Sequence, residues 1–175
     1  MENLKYPIGK FETKPFSPQQ LSDWLLDIEV LPKSLEFSIA NLDTYQLNEP
    51  YRQDGWTIKQ VVHHVADSHT NALIRIKLGL TEDNPIIKPY DEAAWANLSD
   101  VELVPINISL TIIHCVHVKM LALFKSMQAA DWDKTIYHPA NKTTVTLWEM
   151  LGTYAWHGKH HAAHINGLRE RRNWK

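Results

Sequence analysis

The chain has 175 residues, 44% of them apolar and 22% charged, the size and balance of one globular core, which excludes a disordered or fibrous chain. Eighteen Lys and Arg against twenty Asp and Glu leave a net charge of −2, so composition offers no basic surface for nucleic acid or an anionic membrane. No apolar run is long and unbroken enough for a transmembrane span, residues 1–18 lack the apolar block of a secretory signal, and the lone Cys115 excludes an internal disulfide, so the expected setting is the cytoplasm.

Residues 1–18 carry Pro7, Pro15, Pro18 and Gly9 and read as an extended arm laid on a single domain that spans residues 1–175. From 19 to 41, Leu21, Trp24, Leu25, Ile28, Leu31, Leu35 and Ile39 recur at helical spacing, and Pro32 predicts a kink or break near Glu29–Leu31. Thr57 with Gln60 has the form of a capping box, which opens a second helix ending near Thr81. Its stripe is Ile58, Val61, Val62, Val65, Ala72, Leu73, Ile76 and Leu80.

A long connection follows, with room for one short helix at 91–98. A third helix is predicted over 105–129 with Ile108, Ile112, Val116, Met120, Leu123 and Met127 on one face. Cys115 on that helix reads as a buried small hydrophobe rather than a nucleophile. Thr146 with Glu149 repeats the capping box and opens a fourth helix through about Arg169. Arg169, Arg171, Arg172 and Lys175 would complement the dipole at its end. No alternation requires a sheet, so the predicted fold is all-α: an antiparallel four-helix bundle with a long connection between helices two and three.

Seven of the ten histidines fall in two clusters: His63, His64 and His69 on the second helix, and His157, His160, His161 and His164 on the fourth. Two imidazoles four residues apart on a helix can chelate one metal ion. The fourth helix offers His157/His161 and His160/His164, and its apolar stripe selects His157/His161 as the inward pair. Catalytic zinc usually takes a third protein ligand, and helical position alone favours His69 over His64 for it. Hydrogen-bonded core histidines are the reading for His114, His117 and His138, and a pH-sensitive interface is the next alternative for the clusters.

The sequence resembles the DinB-like superfamily, and within it the YfiT branch of metal-dependent hydrolases and bacillithiol transferases. The resemblance covers nearly the whole chain. It rests on Tyr6-Pro7-Ile8-Gly9-Lys10, Gly55-Trp56-Thr57-Ile58, Gln60 through His69, Ile87-Lys88-Pro89-Tyr90, and Trp156-His157-Gly158-Lys159-His160-His161 with Ala163-His164-Ile165. It implies a four-helix bundle with one divalent metal ion per chain, zinc first and nickel second, held by His64, His157 and His161, with His69 in reserve.

Asp67, one turn beyond His64, is either an outer-shell carboxylate or an exposed helix acid. The implied function is metal-dependent thiol S-transfer, joining a small-molecule thiol such as bacillithiol to an electrophile through a metal-bound thiolate. The alternatives are a hydrolase that activates water and a non-catalytic binding module with a structural metal. A homodimer with no nucleic-acid or membrane partner completes the expectation.

Overall fold

The structure, a computed structural model, describes residues 2–175; Met1, at the head of the expected arm, lies outside the described residues. In chain order the elements are α1 (Glu2–Lys5), α2 (Pro18–Ile39), α3 (Thr44–Leu47), α4 (Ile58–Thr81), α5 (Glu92–Trp95), α6 (Ser99–Leu103), α7 (Ile106–Ser126), a 3₁₀ turn (Ala129–Asp133), β1 (Thr135–His138), β2 (Thr143–Thr146) and α8 (Leu147–Arg172). The two capping boxes head α4 and α8. The Thr57 and Thr146 hydroxyls accept from the Gln60 and Glu149 amides, and the Gln60 and Glu149 side chains accept from the cap amides in return.

The long helices α2, α4, α7 and α8 form the four-helix bundle, and side-chain contacts fix their directions. Ile28 meets His117 and Glu36 meets His114, so α2 and α7 are antiparallel. His64 meets His157 and Gly79 meets Leu147, so α4 and α8 are antiparallel as well. In contrast, α4 and α7 run the same way, with Ser109 on His63 and His117 on His69. So do α2 and α8, from Trp24 beside Gly152 to Ser38 beside Arg169. Parallel neighbours cannot be joined by a tight turn, which is why residues 82–105 form a long crossover.

α2 is unbroken through Pro32, so of the expected kink or break the break is absent. Proline supplies no amide hydrogen to the Ile28 carbonyl, and His117 Nδ1 fills that vacancy at 2.6 Å. The inward face of α7 also differs from expectation. Ser109, Ile113, Val116, His117, Met120 and Phe124 are buried, whereas Ile108, Ile112 and Cys115 are exposed. The polar pair Ser109 and His117 turns inward because His63 and His69 on α4 offer buried hydrogen-bond partners, and that rotation carries Cys115 to the surface. By length and apolar composition alone α7 suffices to cross a bilayer, against the sequence expectation, yet one face of it is packed in the bundle.

A hairpin not anticipated from the sequence pairs Thr135 with Thr146 through His138 with Thr143. It also anchors the crossover, since the Ile87 amide donates to the Tyr137 carbonyl and the Tyr137 amide to the Pro85 carbonyl. The N-terminal segment opens with the α1 turn instead of being extended throughout, and then lies along α8. Trp148 and Trp156 donate their indole N–H groups to the Lys14 and Gly9 carbonyls at 2.7 and 3.2 Å. Arg169 reaches away from its own helix to the Phe37, Ser38 and Ala40 carbonyls, so it caps α2 rather than α8.

Candidate metal centre

His157 and His161 sit four residues apart on α8, and His64 faces them from α4. The Nε2 atom of His157 is 3.2 Å from His64 Nε2 and 3.2 Å from His161 Nε2. One nitrogen from each of the three rings lies within 4.8 Å of the others. Two nitrogens bound tetrahedrally at the usual zinc distance would stand roughly 3.3 Å apart, close to this spacing. Hydrogen bonding accounts for it poorly, because a neutral imidazole nitrogen has one in-plane lone pair and His157 Nε2 cannot accept well from two rings at once. The donor set therefore fits a divalent ion.

Burial also prepares the rings as ligands. It pushes the His64 pKa down to about 4, and it holds His157 and His161 well below the ordinary range, with neighbouring imidazoles adding to the effect. Neutral imidazole is the form that ligates. His64 and His161 are buried, whereas His157 keeps part of its surface in contact with solvent. The Trp56 ring leans on His64 with centroids 4.6 Å apart and stacks toward His161 at 6.4 Å, forming one wall.

The crossover runs beside the centre. Gln60 Nε2 donates to the Ala96 carbonyl at 2.9 Å, Lys59 pairs with Glu102 at 2.8 Å, and Arg75 donates to the Lys88 carbonyl at 3.4 Å. Arg75 also donates to the Tyr154 hydroxyl at 3.3 Å, and the Tyr154 ring meets His69 edge-on.

The other histidines divide clearly. His69 does not join the three convergent nitrogens: its Nε2 faces His157 Nδ1 at 3.1 Å, so it stands behind a ligand instead of replacing one. His160 and His164 are buried too, although the apolar stripe selected the other pair as inward. Tyr6 and Trp156 cover His160, and Tyr51 stacks on His164 at 3.9 Å. His114 pairs with Glu36 at 2.7 Å, and His138 accepts from the Asn141 amide. Asp67 is half-buried, and its side chain makes no hydrogen bond to the three rings among the described residues. Burial, with Asp100 nearby, raises its pKa to about 6. His117 is the hydrogen-bonded core histidine that the sequence suggested, buried between the Ile28 carbonyl and His69.

Known proteins resemble this chain over nearly its whole length. Residues 28–165 match the family model described as the DinB superfamily. Relatives from Bacillus cereus and from Bacillus thuringiensis subsp. konkukian are each 48% identical over 99% of this chain and 100% of their own length, and both bear the name "Putative metal-dependent hydrolase". Among solved structures, YfiT from Bacillus subtilis superposes with a TM-score of 0.96 at 41% identity, covering 99% of both chains. That protein is described as a probable metal-dependent hydrolase with an unusual four-helix bundle topology.

Proposed function

The chain belongs to the DinB superfamily, and from that membership we propose a mononuclear metal enzyme in which His64, His157 and His161 hold one divalent ion. The proposed reaction is transfer of a low-molecular-weight thiol, such as bacillithiol, to an electrophile. What carries the reading is the pair of 3.2 Å spacings around His157 Nε2, which suit a metal better than they suit hydrogen bonds. A divalent ion there would supply Lewis acidity, lowering the pKa of a thiol or water that reaches it.

The protein's own part is to keep three imidazoles neutral, shield them beneath Trp56, and leave His157 on the accessible side. Thiol transfer is preferred to hydrolysis because no carboxylate joins the three rings among the described residues. Zinc is the first choice of ion and nickel the second, since imidazole suits both.

Hydrolysis is the second reading, and Asp67 is the observation in its favour. It lies one turn from His64 with a pKa raised to about 6, in the range of a general base. A homodimer through the outer face of α7 is part of the proposal, supported by exposed Ile108, Ile112 and Val118. The setting is the cytoplasm, with no nucleic-acid or membrane partner. Sedimentation of the wild type and of Val118→Glu checks the dimer.

The deciding experiment loads tag-free protein with zinc and supplies thiols with a bimane electrophile, following conjugates by mass spectrometry. Conjugation that is lost in His161→Ala supports thiol transfer. Thiol-independent cleavage of esters or amides, lost in Asp67→Asn, supports hydrolysis instead. One zinc per chain with neither activity leaves a structural metal.

A further inference from the structure

Behind His157 runs a line of three hydrogen bonds, the inner two buried, that ends on a backbone carbonyl. His157 Nδ1 is 3.1 Å from His69 Nε2, His69 Nδ1 is 2.8 Å from His117 Nε2, and His117 Nδ1 is 2.6 Å from the Ile28 carbonyl oxygen. A carbonyl can only accept, so the last bond has one possible direction: His117 carries its hydrogen on Nδ1. In a neutral ring that leaves Nε2 as an acceptor, and His69 must then donate from Nδ1. By the same step His69 Nε2 accepts, and His157 donates from Nδ1. The outcome is a bare lone pair on His157 Nε2, the atom that faces His64 and His161.

The opposite order would require a second proton on His117, and burial pushes that ring's pKa down to about 4. The carbonyl at the end of the line is available because of the sequence of α2. Pro32 lies four residues beyond Ile28 inside the helix and has no amide hydrogen to give it.

The geometry points to Pro32, His117 and His69 as positioning residues: the Ile28 carbonyl that Pro32 frees fixes the tautomers of His117, His69 and His157 in turn, and commits the His157 Nε2 lone pair to the metal. A free neutral histidine favours hydrogen on Nε2, which would block that atom, so the line overrides an intrinsic preference. Partners of this kind behind a ligating histidine set its tautomer and ring orientation. Here the partners are two further imidazoles instead of a carboxylate. The inference rests on the reading of His64, His157 and His161 as a metal centre.

The test combines zinc affinity, measured by chelator competition, with ring ¹⁵N spectra of the metal-free and zinc-loaded protein. In wild type, His69 and His117 are expected to show protonated Nδ1 and bare Nε2 in both forms. His117→Leu removes the acceptor from His69 Nδ1. Zinc affinity should then fall by about 10–100-fold at unchanged stoichiometry, with the His69 signals moving toward the other tautomer. His117→Gln, whose side-chain oxygen can stand where Nε2 stood, should recover most of the affinity.

Pro32→Ala returns an amide hydrogen to the Ile28 carbonyl without threatening the helix, and should weaken the His117 Nδ1–H bond seen in the spectra. Hydrogen on Nε2 of His69 or His117 in wild type, or unchanged affinity in a folded His117→Leu, would overturn the inference while leaving the metal centre intact. If His117→Leu does not fold, the wild-type and Pro32→Ala spectra decide. Failure of wild type to take up zinc would instead sink the centre itself, and the inference with it.

Discussion

Leu31 on α2 rests against the Cα of Gly158 on α8, so that a Cβ at residue 158 would overlap the Leu31 side chain. Gly158 follows the ligand candidate His157 directly, and the close approach of two parallel helices therefore helps to set the ring's position. Gly158→Ala is expected to lower stability by about 1–3 kcal/mol, the usual cost of overpacking, even though alanine is the better helix former. Zinc affinity should fall with it. Gly167→Ala is the control, because its Cβ would meet only the flexible end of Arg171 at 3.2 Å. That variant should be neutral or up to about 1 kcal/mol more stable in urea denaturation.

Arg169 separates bundle stability from the metal centre. It donates to the Ser38 and Ala40 carbonyls at 3.0 and 2.9 Å and more loosely to Phe37, holding the end of α2 against α8. Arg169→Ala should cost about 1–2 kcal/mol, since bonds from a charged donor exceed neutral ones but the group is partly solvated. Arg169→Lys should recover only part, because all three bonds come from Nη1 and the lysine ammonium ends one atom short of it. Zinc stoichiometry is expected to stay the same in both, and a change in it would contradict the separation.

Acid should unfold the metal-free protein early. Burial lowers the pKa of His64, His117, His160 and His164 to about 4, against an ordinary value near 6.5. Between those values the unfolded chain binds more protons than the folded one, so stability is complete above the upper value and is lost as pH falls through the window. Asp67 works in the opposite sense, because its raised pKa of about 6 makes the folded state the better proton binder there. A single carboxyl does not offset four imidazoles. Thermal melts should therefore show Tm rising steeply from pH 4.5 to 7, and Asp67→Asn should raise Tm most at the neutral end.

The bundle was legible because its signals are local. Both capping boxes, the α4 stripe and the spacing of His157 and His161 lie within single helices, where periodicity dictates which side chains share a face. The face of α7 was not, because Ser109 and His117 turn inward for partners on α4, and hydropathy counts them as outward residues. The hairpin escaped for a similar reason: four-residue strands leave too short an alternation, and much of their stability comes from the packing of Ile136 and the crossover bonds. Helical position favoured His69 over His64, but α4 touches both α7 and α8 and its buried arc admits both rings. That His64 faces His157 Nε2 while His69 lies between His157 and His117 is decided only when the helices pack.

Metal removal gives the final prediction, because it couples the centre to the fold. An ion bound only by the folded state stabilises it by mass action, about 2.7 kcal/mol when free zinc is 100 times the dissociation constant. The three rings come from two antiparallel helices, α4 and α8, so the ion would act as a clasp between them. Addition of zinc to chelator-treated wild type should raise Tm by several degrees, and a chelator should reverse it. In His161→Ala the remaining pair spans the same helices with one ligand fewer, and the shift should nearly vanish. His138→Ala, on the hairpin and outside the cluster, should keep the full shift. A zinc-dependent shift of equal size in His161→Ala would place the ion elsewhere and remove His161 from the ligand set.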